Sequence, residues 1–99
     1  MVFDPGSLHS ALAAAAGDDG GLIAELRAAF FESARRQLDL LGRARCDANW
    51  RLAAARLKGL AASFGLEDLI LLADEAEAGA PGDPLVQRKI MSAIIELGG

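Results

Sequence analysis

The chain has 99 residues, a formal net charge of −4 and a single cysteine, and no stretch of it approaches the ~18 uninterrupted apolar residues of a membrane span. That length suits one domain, residues 1–99, with a single core. The 53% hydrophobic content, mostly Ala and Leu with only 5% aromatic, points to an all-α fold. Cys46 alone excludes an internal disulfide, and the N-terminus lacks the basic and apolar regions of a signal peptide, so a cytoplasmic protein is expected.

Charge is unevenly spread. Residues 21–58 carry eight basic side chains against four acidic ones, whereas residues 59–99 carry two against seven. The acidic total argues against nucleic acid. A basic face toward an acidic site on another protein fits better. Cys46 and the lone His9 form neither a metal site nor a nucleophile–base pair, and no residue set implies a cofactor.

In chain order, Asp4-Pro5 opens a short first helix as N-cap and first helical residue, with Leu8, Leu12 and Ala15 on its apolar side. Gly17 to Gly21 breaks it and can cap the next, expected from about Leu22 to Ala44. There Leu22, Ile23, Leu26, Phe30, Leu40 and Leu41 share one face, interrupted by Ser33 and Gln37. Phe31 and Leu38 form a second stripe, either a contact with the first helix or an exposed patch continuing the next helix's apolar face.

The third helix, Ala48 to Phe64 with Asp47 as its expected cap, is the centre of the chain. At 100° per residue, Trp50, Ala53, Ala54, Leu57, Leu60, Ala61 and Phe64 fall within about 60° of Leu57, which makes them a core stripe. The opposite face carries Ala48, Leu52, Ala55, Gly59 and Ala62, with Arg56 and Lys58 on its flanks. A solvated helix face is normally Glu, Lys and Gln, so a small apolar one edged by cations invites either a partner or another helix of the same bundle. Gly59 in a helix interior costs about 1 kcal/mol relative to Ala, which close approach of a partner would explain.

Gly65 is the expected C′ glycine, and the fourth helix starts at once with Glu67 and Asp68 in its first turn. Leu66, Leu69, Ile70, Ala73 and Ala76 are its buried stripe; Asp74, Glu75 and Glu77 are its solvated side. After the Gly79-Ala80-Pro81-Gly82 loop, Asp83-Pro84 repeats the cap-plus-proline start. Leu85, Val86, Ile90, Ala93, Ile94 and Leu97 form the seam of the last helix. The expected fold is therefore an antiparallel up-and-down four-helix bundle with a short N-terminal capping helix.

The twelve residues Ala54 to Gly65 resemble the central helix of the histidine-containing phosphotransfer (HPt) domain of bacterial phosphorelays, which reads roughly Ala-His-x-Leu-Lys-Gly, then small residues, then Gly. Leu57, Lys58, Gly59 and Gly65 fall on that motif, and Ala55 occupies the histidine position. The family shares the four-helix architecture, so the likeness is specific in these residues and topological elsewhere. In the family the histidine takes a phosphoryl group from a receiver aspartate, flanked by the lysine and glycine that follow it. Ala55 has no lone pair, Arg51, Arg56 and Lys58 stay protonated near neutral pH, and His9 lies outside any motif.

The resemblance thus implies a non-enzymatic pseudo-phosphotransfer domain that binds a response-regulator receiver or a histidine kinase without carrying phosphate. Arg51, Leu52, Ala55, Arg56, Lys58, Gly59 and Ala62 form the expected contact surface, extended by Phe31 and Leu38. The alternatives are a phosphotransfer protein whose histidine has been replaced and a helical assembly or dimerisation domain. A monomer without metal, cofactor or membrane contact is expected.

Overall fold

The computed structural model describes residues 5–99, which form five helices: α1 (Pro5–Ala16), α2 (Gly20–Arg43), α3 (Asp47–Ser63), α4 (Glu67–Ala78) and α5 (Pro84–Glu96). No strand occurs among the described residues. Asp4, expected to cap α1, lies outside them.

Local chemistry sets most of the boundaries. The Asp19 carboxylate accepts from the Leu22 amide at 3.1 Å and starts α2, and Asp83 accepts from the Leu85 amide at 2.9 Å with Pro84 in the first turn of α5. Both caps fill orphan donors of a first turn. α3 starts one residue earlier than its sequence suggests. Cys46 is its N-cap with no side-chain bond, and Asp47 sits inside the first turn, where its charge is still favoured by the helix dipole.

At the other end of α3 the chain closes a Schellman motif. Gly65 adopts φ 65°, its amide bonds to Ala62 at 3.1 Å, and the Leu66 amide bonds to Ala61 at 3.0 Å. An L-residue with a Cβ would be strained at that φ, which is why glycine occupies it. The turn sends the chain directly into α4, so α3 and α4 pack along each other.

α3 packs between α2 and α4, α4 packs on α5, α5 returns to α2, and α1 packs on α2. Trp50, Ala54, Leu57 and Ala61 are fully buried, joined from α1 by Leu8 and Leu12, from α2 by Phe30 and Leu41, from α4 by Leu69, and from α5 by Ile90. At 1.5 Å per residue, the 24-residue α2 is about 36 Å long, most of the 43 Å long axis. It is the spine against which the other helices pack.

Two expectations for apolar faces change. Phe31 and Leu38 are buried and do not extend the outer face of α3. Phe31 stands edge-on to Phe30 at 5.2 Å, carries the Arg27 and Arg35 guanidinium groups over its ring at 5.1 and 5.7 Å, and is covered from the C-terminus by Gly99. Leu38 lies on the α5 side of α2, beside Gln87 and Met91. The physical reason is that α2 has α3 on one flank and α5 on the other, so its buried arc is wider than one stripe. Conversely, Leu85 is not part of the α5 seam: it is 54% exposed.

Candidate docking face on the central helix

Three interactions hold α3 in place and decide which way its other side points. The Trp50 indole N–H donates to the Ala76 carbonyl at 2.6 Å, in the last turn of α4 where carbonyls lack helical partners. Leu57 is fully buried about two turns further on. Phe64 closes the far end, edge-on to Phe30 at 5.2 Å. With Trp50, Leu57 and Phe64 turned inward, the opposite residues must face out.

They do. Arg51, Leu52, Ala55, Arg56, Gly59 and Ala62 are all exposed, and no helix of the described residues covers them. Lys58 is half-buried at the α4 edge, where its ammonium donates to the Asp74 carboxylate at 2.7 Å. That hydrogen bond and the Asp74 charge raise the Lys58 pKa above its ordinary value. Lys58 therefore stays cationic at neutral pH but already has a carboxylate partner. Arg51 and Arg56 have no ion pair among the described residues. The available cations on this face are thus Arg51 and Arg56, with Lys58 held at the rim.

The apolar part of the face extends toward α2 through Leu40, expected on the apolar face of that helix together with Leu22, which is likewise exposed. Leu40 is 40% exposed and Leu52 is 48% exposed. They line one shallow depression with Ala44, Asn49 and Ala53, edged by Arg43 and Arg56. The signal was present in the sequence. Leu40 lies about 80° from Phe30 around α2, at the margin of the buried arc and on the side that meets α3. Arg43 is bound to Asp39 at 3.1 Å, an exposed pair one helical turn apart that constrains it little.

Gly59 is the feature of this face that the fold does not explain. A Cβ built on it meets nothing within 4 Å, and its backbone is ordinary helix. Gly59→Ala is therefore expected to stabilise the isolated domain by about 0.5–1 kcal/mol, read from urea denaturation. A loss of stability would mean that the glycine is required by the fold itself.

The outer face of α3 presents no imidazole. Ala55 offers a methyl group, the Ser63 hydroxyl donates to the Gly59 carbonyl at 2.9 Å, and His9 is exposed on α1. Among the described residues no group of three or more His, Cys, Asp or Glu could hold a metal ion, and no helix is long and apolar enough to cross a membrane. Comparison with protein-family models, curated proteins and solved structures returns no match.

Proposed function

We propose that the chain is a pseudo-histidine-phosphotransfer domain: a four-helix antiparallel bundle, capped by α1, that docks a response-regulator receiver or histidine kinase through the outer face of α3. The observation that carries this reading is Gly59. A mid-helix glycine costs stability, nothing in the fold repays it, and it lies on an exposed apolar face beside Leu52 and Ala55. A partner whose backbone or helix comes close to α3 at that point supplies the missing reason. The flanking Arg51 and Arg56 suit a partner with an acidic rim, and a receiver's carboxylate cluster is such a rim.

The same face explains why docking and chemistry separate. Ala55 is exposed and one turn from Gly59, so a docked receiver aspartyl phosphate would meet a methyl group where the family has an imidazole. Lys58 remains to attract phosphoryl charge, but an ammonium protonated well above neutral pH does not attack phosphorus. The domain then holds its partner without discharging it.

Incubated with a phosphorylated receiver or an active kinase, the chain is expected to gain no acid-labile phosphoryl group. The check is labelling with radioactive phosphate, followed by acid treatment. Labelling that vanishes in His9→Ala would overturn the proposal by making His9 an acceptor. Ala55→His should fold, because the position is exposed and the propensity cost is well under about 1 kcal/mol, and it tests whether the docking geometry still supports transfer.

A further inference from the structure

The outer face of α5 is apolar where a solvated helix is normally charged. Leu85, Met91 and Ile95 are 54%, 52% and 60% exposed, three of the seven large hydrophobic side chains exposed among the described residues, on a helix of 13 residues. At 100° per residue, Arg88 and Ser92 fall between them, so the five make one continuous strip. Its edges are already occupied. Lys89 on the α4 side donates to Glu75 at 3.0 Å, and Gln87 on the α2 side donates to the Asp83 carbonyl at 3.0 Å. Met91 borders a groove toward Leu38 of α2 and Leu85 one toward Leu72 of α4, and between them the strip is open.

The Asp83 cap suits the dipole of α5, but the far end of the helix carries a charge that the dipole disfavours. Its first turn has no acid, its last turn has no base, and Glu96 ends the helix where negative charge is disfavoured. Arg88, near the beginning, and Glu96 are both exposed, and neither has an ion pair among the described residues. Within one chain this arrangement is unfavourable. It becomes favourable if another α5 lies across it in the opposite direction.

We propose that this strip is a self-association surface on which two copies of the chain pair about a two-fold axis with their α5 helices antiparallel. In that arrangement the Arg88 end of one helix lies over the Glu96 end of the other, twice by symmetry, and the two helix dipoles oppose each other. Met91 and Ile95 of each copy close over the strip of the other around Ser92, which lies at the two-fold axis and lets the two backbones approach, while Leu85 reaches past Glu96 to the partner's last residues. A second copy is favoured over an unrelated partner because the charge pattern is complementary to itself when reversed. The strip is only about 20 Å long and one helix wide, so the area it can bury falls short of the ~1,200–2,000 Å² of stable interfaces, and the dimer is weak and dissociates on dilution. It uses a different side of the molecule from the α3 face and stands or falls independently of it.

Sedimentation equilibrium of the whole chain, from roughly 10 µM to 1 mM, tests this. The expected result is a mass that rises from 10.3 kDa toward twice that value. Ile95→Glu should keep the mass at 10.3 kDa at every concentration, with circular dichroism unchanged because the side chain lies outside the core. Arg88→Glu should weaken pairing about tenfold by turning both cross-helix attractions into repulsions. Combining Arg88→Glu with Glu96→Arg should restore it. Glu96→Gln separates the interface from the fold: it should raise the thermal stability of dilute protein while weakening the dimer. A monomer at 1 mM, association that survives Ile95→Glu or is lost instead with Leu52→Glu, or a charge-swapped double variant that fails to recover would each overturn the proposal.

Discussion

Trp50→Ala is expected to destabilise the domain by about 3–5 kcal/mol, a large share of the ~5–15 kcal/mol that holds a domain of this size together. The side chain is fully buried, and its ring sits among the residues that join α3 to α4. Its indole N–H also completes the Ala76 carbonyl, which accepts from the Gly79 amide at 3.0 Å as well. Removing the ring therefore opens a cavity and loosens the last turn of α4 in one step. Trp50→Phe keeps most of the ring and loses only the donor, so it should cost about 1–2 kcal/mol. The chain has one tryptophan, so urea unfolding is followed by circular dichroism rather than fluorescence. A cost below about 1 kcal/mol for Trp50→Ala would show that the Trp50 contact does not hold α3 to α4.

The parts of the fold that were legible in the sequence are the ones set by neighbours along the chain. Asp83-Pro84 and Asp19 announce helix starts because a cap needs only the amides two or three residues on, and Gly65 announces an end because its φ is local. The inward stripe of α3 was legible because its buried residues, Trp50, Ala53, Ala54, Leu57 and Ala61, fall on one arc of the helical period. Phe31 and Leu38 were not legible as core. A second stripe on α2 reads the same whether it faces solvent or α5, and only the return of α5 and the C-terminal glycines decides it. The Lys58–Asp74 pair joins residues sixteen apart on different helices, so no spacing rule could announce it.

The site was partly legible for the same reason. The outward position of Ala55 and Gly59 follows from the helical period once Leu57 is placed inside. Leu40, which widens the face, required the packing of α2 on α3. The cations also divide differently from the sequence count. Of the eight basic residues between 21 and 58, Arg36, Arg43 and Lys58 are engaged with Glu32, Asp39 and Asp74, and Arg27 and Arg35 lie over Phe31. Arg45 is exposed in the turn between α2 and α3, so Arg51 and Arg56 are the cations of this face with neither an ion pair nor a ring contact, one on each flank of Ala55. Binding that depends on them should weaken as salt rises, since exposed charges are screened over about 8 Å at physiological ionic strength.

Gly59→Arg is expected to raise the Kd for a receiver or kinase that binds the unaltered chain at least about hundredfold, equivalent to ~2.8 kcal/mol, while the domain itself becomes no less stable. The two halves of that result come from one observation. Open space around Gly59 means that a long side chain projects into solvent without disturbing α2 or α4, and arginine is a better helix former than glycine. The same side chain would stand between α3 and anything that packs on Leu52, Ala55 and Ala62. A substitution that keeps or improves folding yet removes binding cannot act through the core. The measurement is titration calorimetry against purified receivers and kinases from the same organism, with circular dichroism and urea midpoints for both proteins. Leu52→Glu, about two turns away on the same face, should weaken binding in parallel, and Ile95→Glu on α5 should leave it unchanged. If Gly59→Arg alters none of the interactions, the outer face of α3 is not where partners dock, and the glycine has no role in recognition.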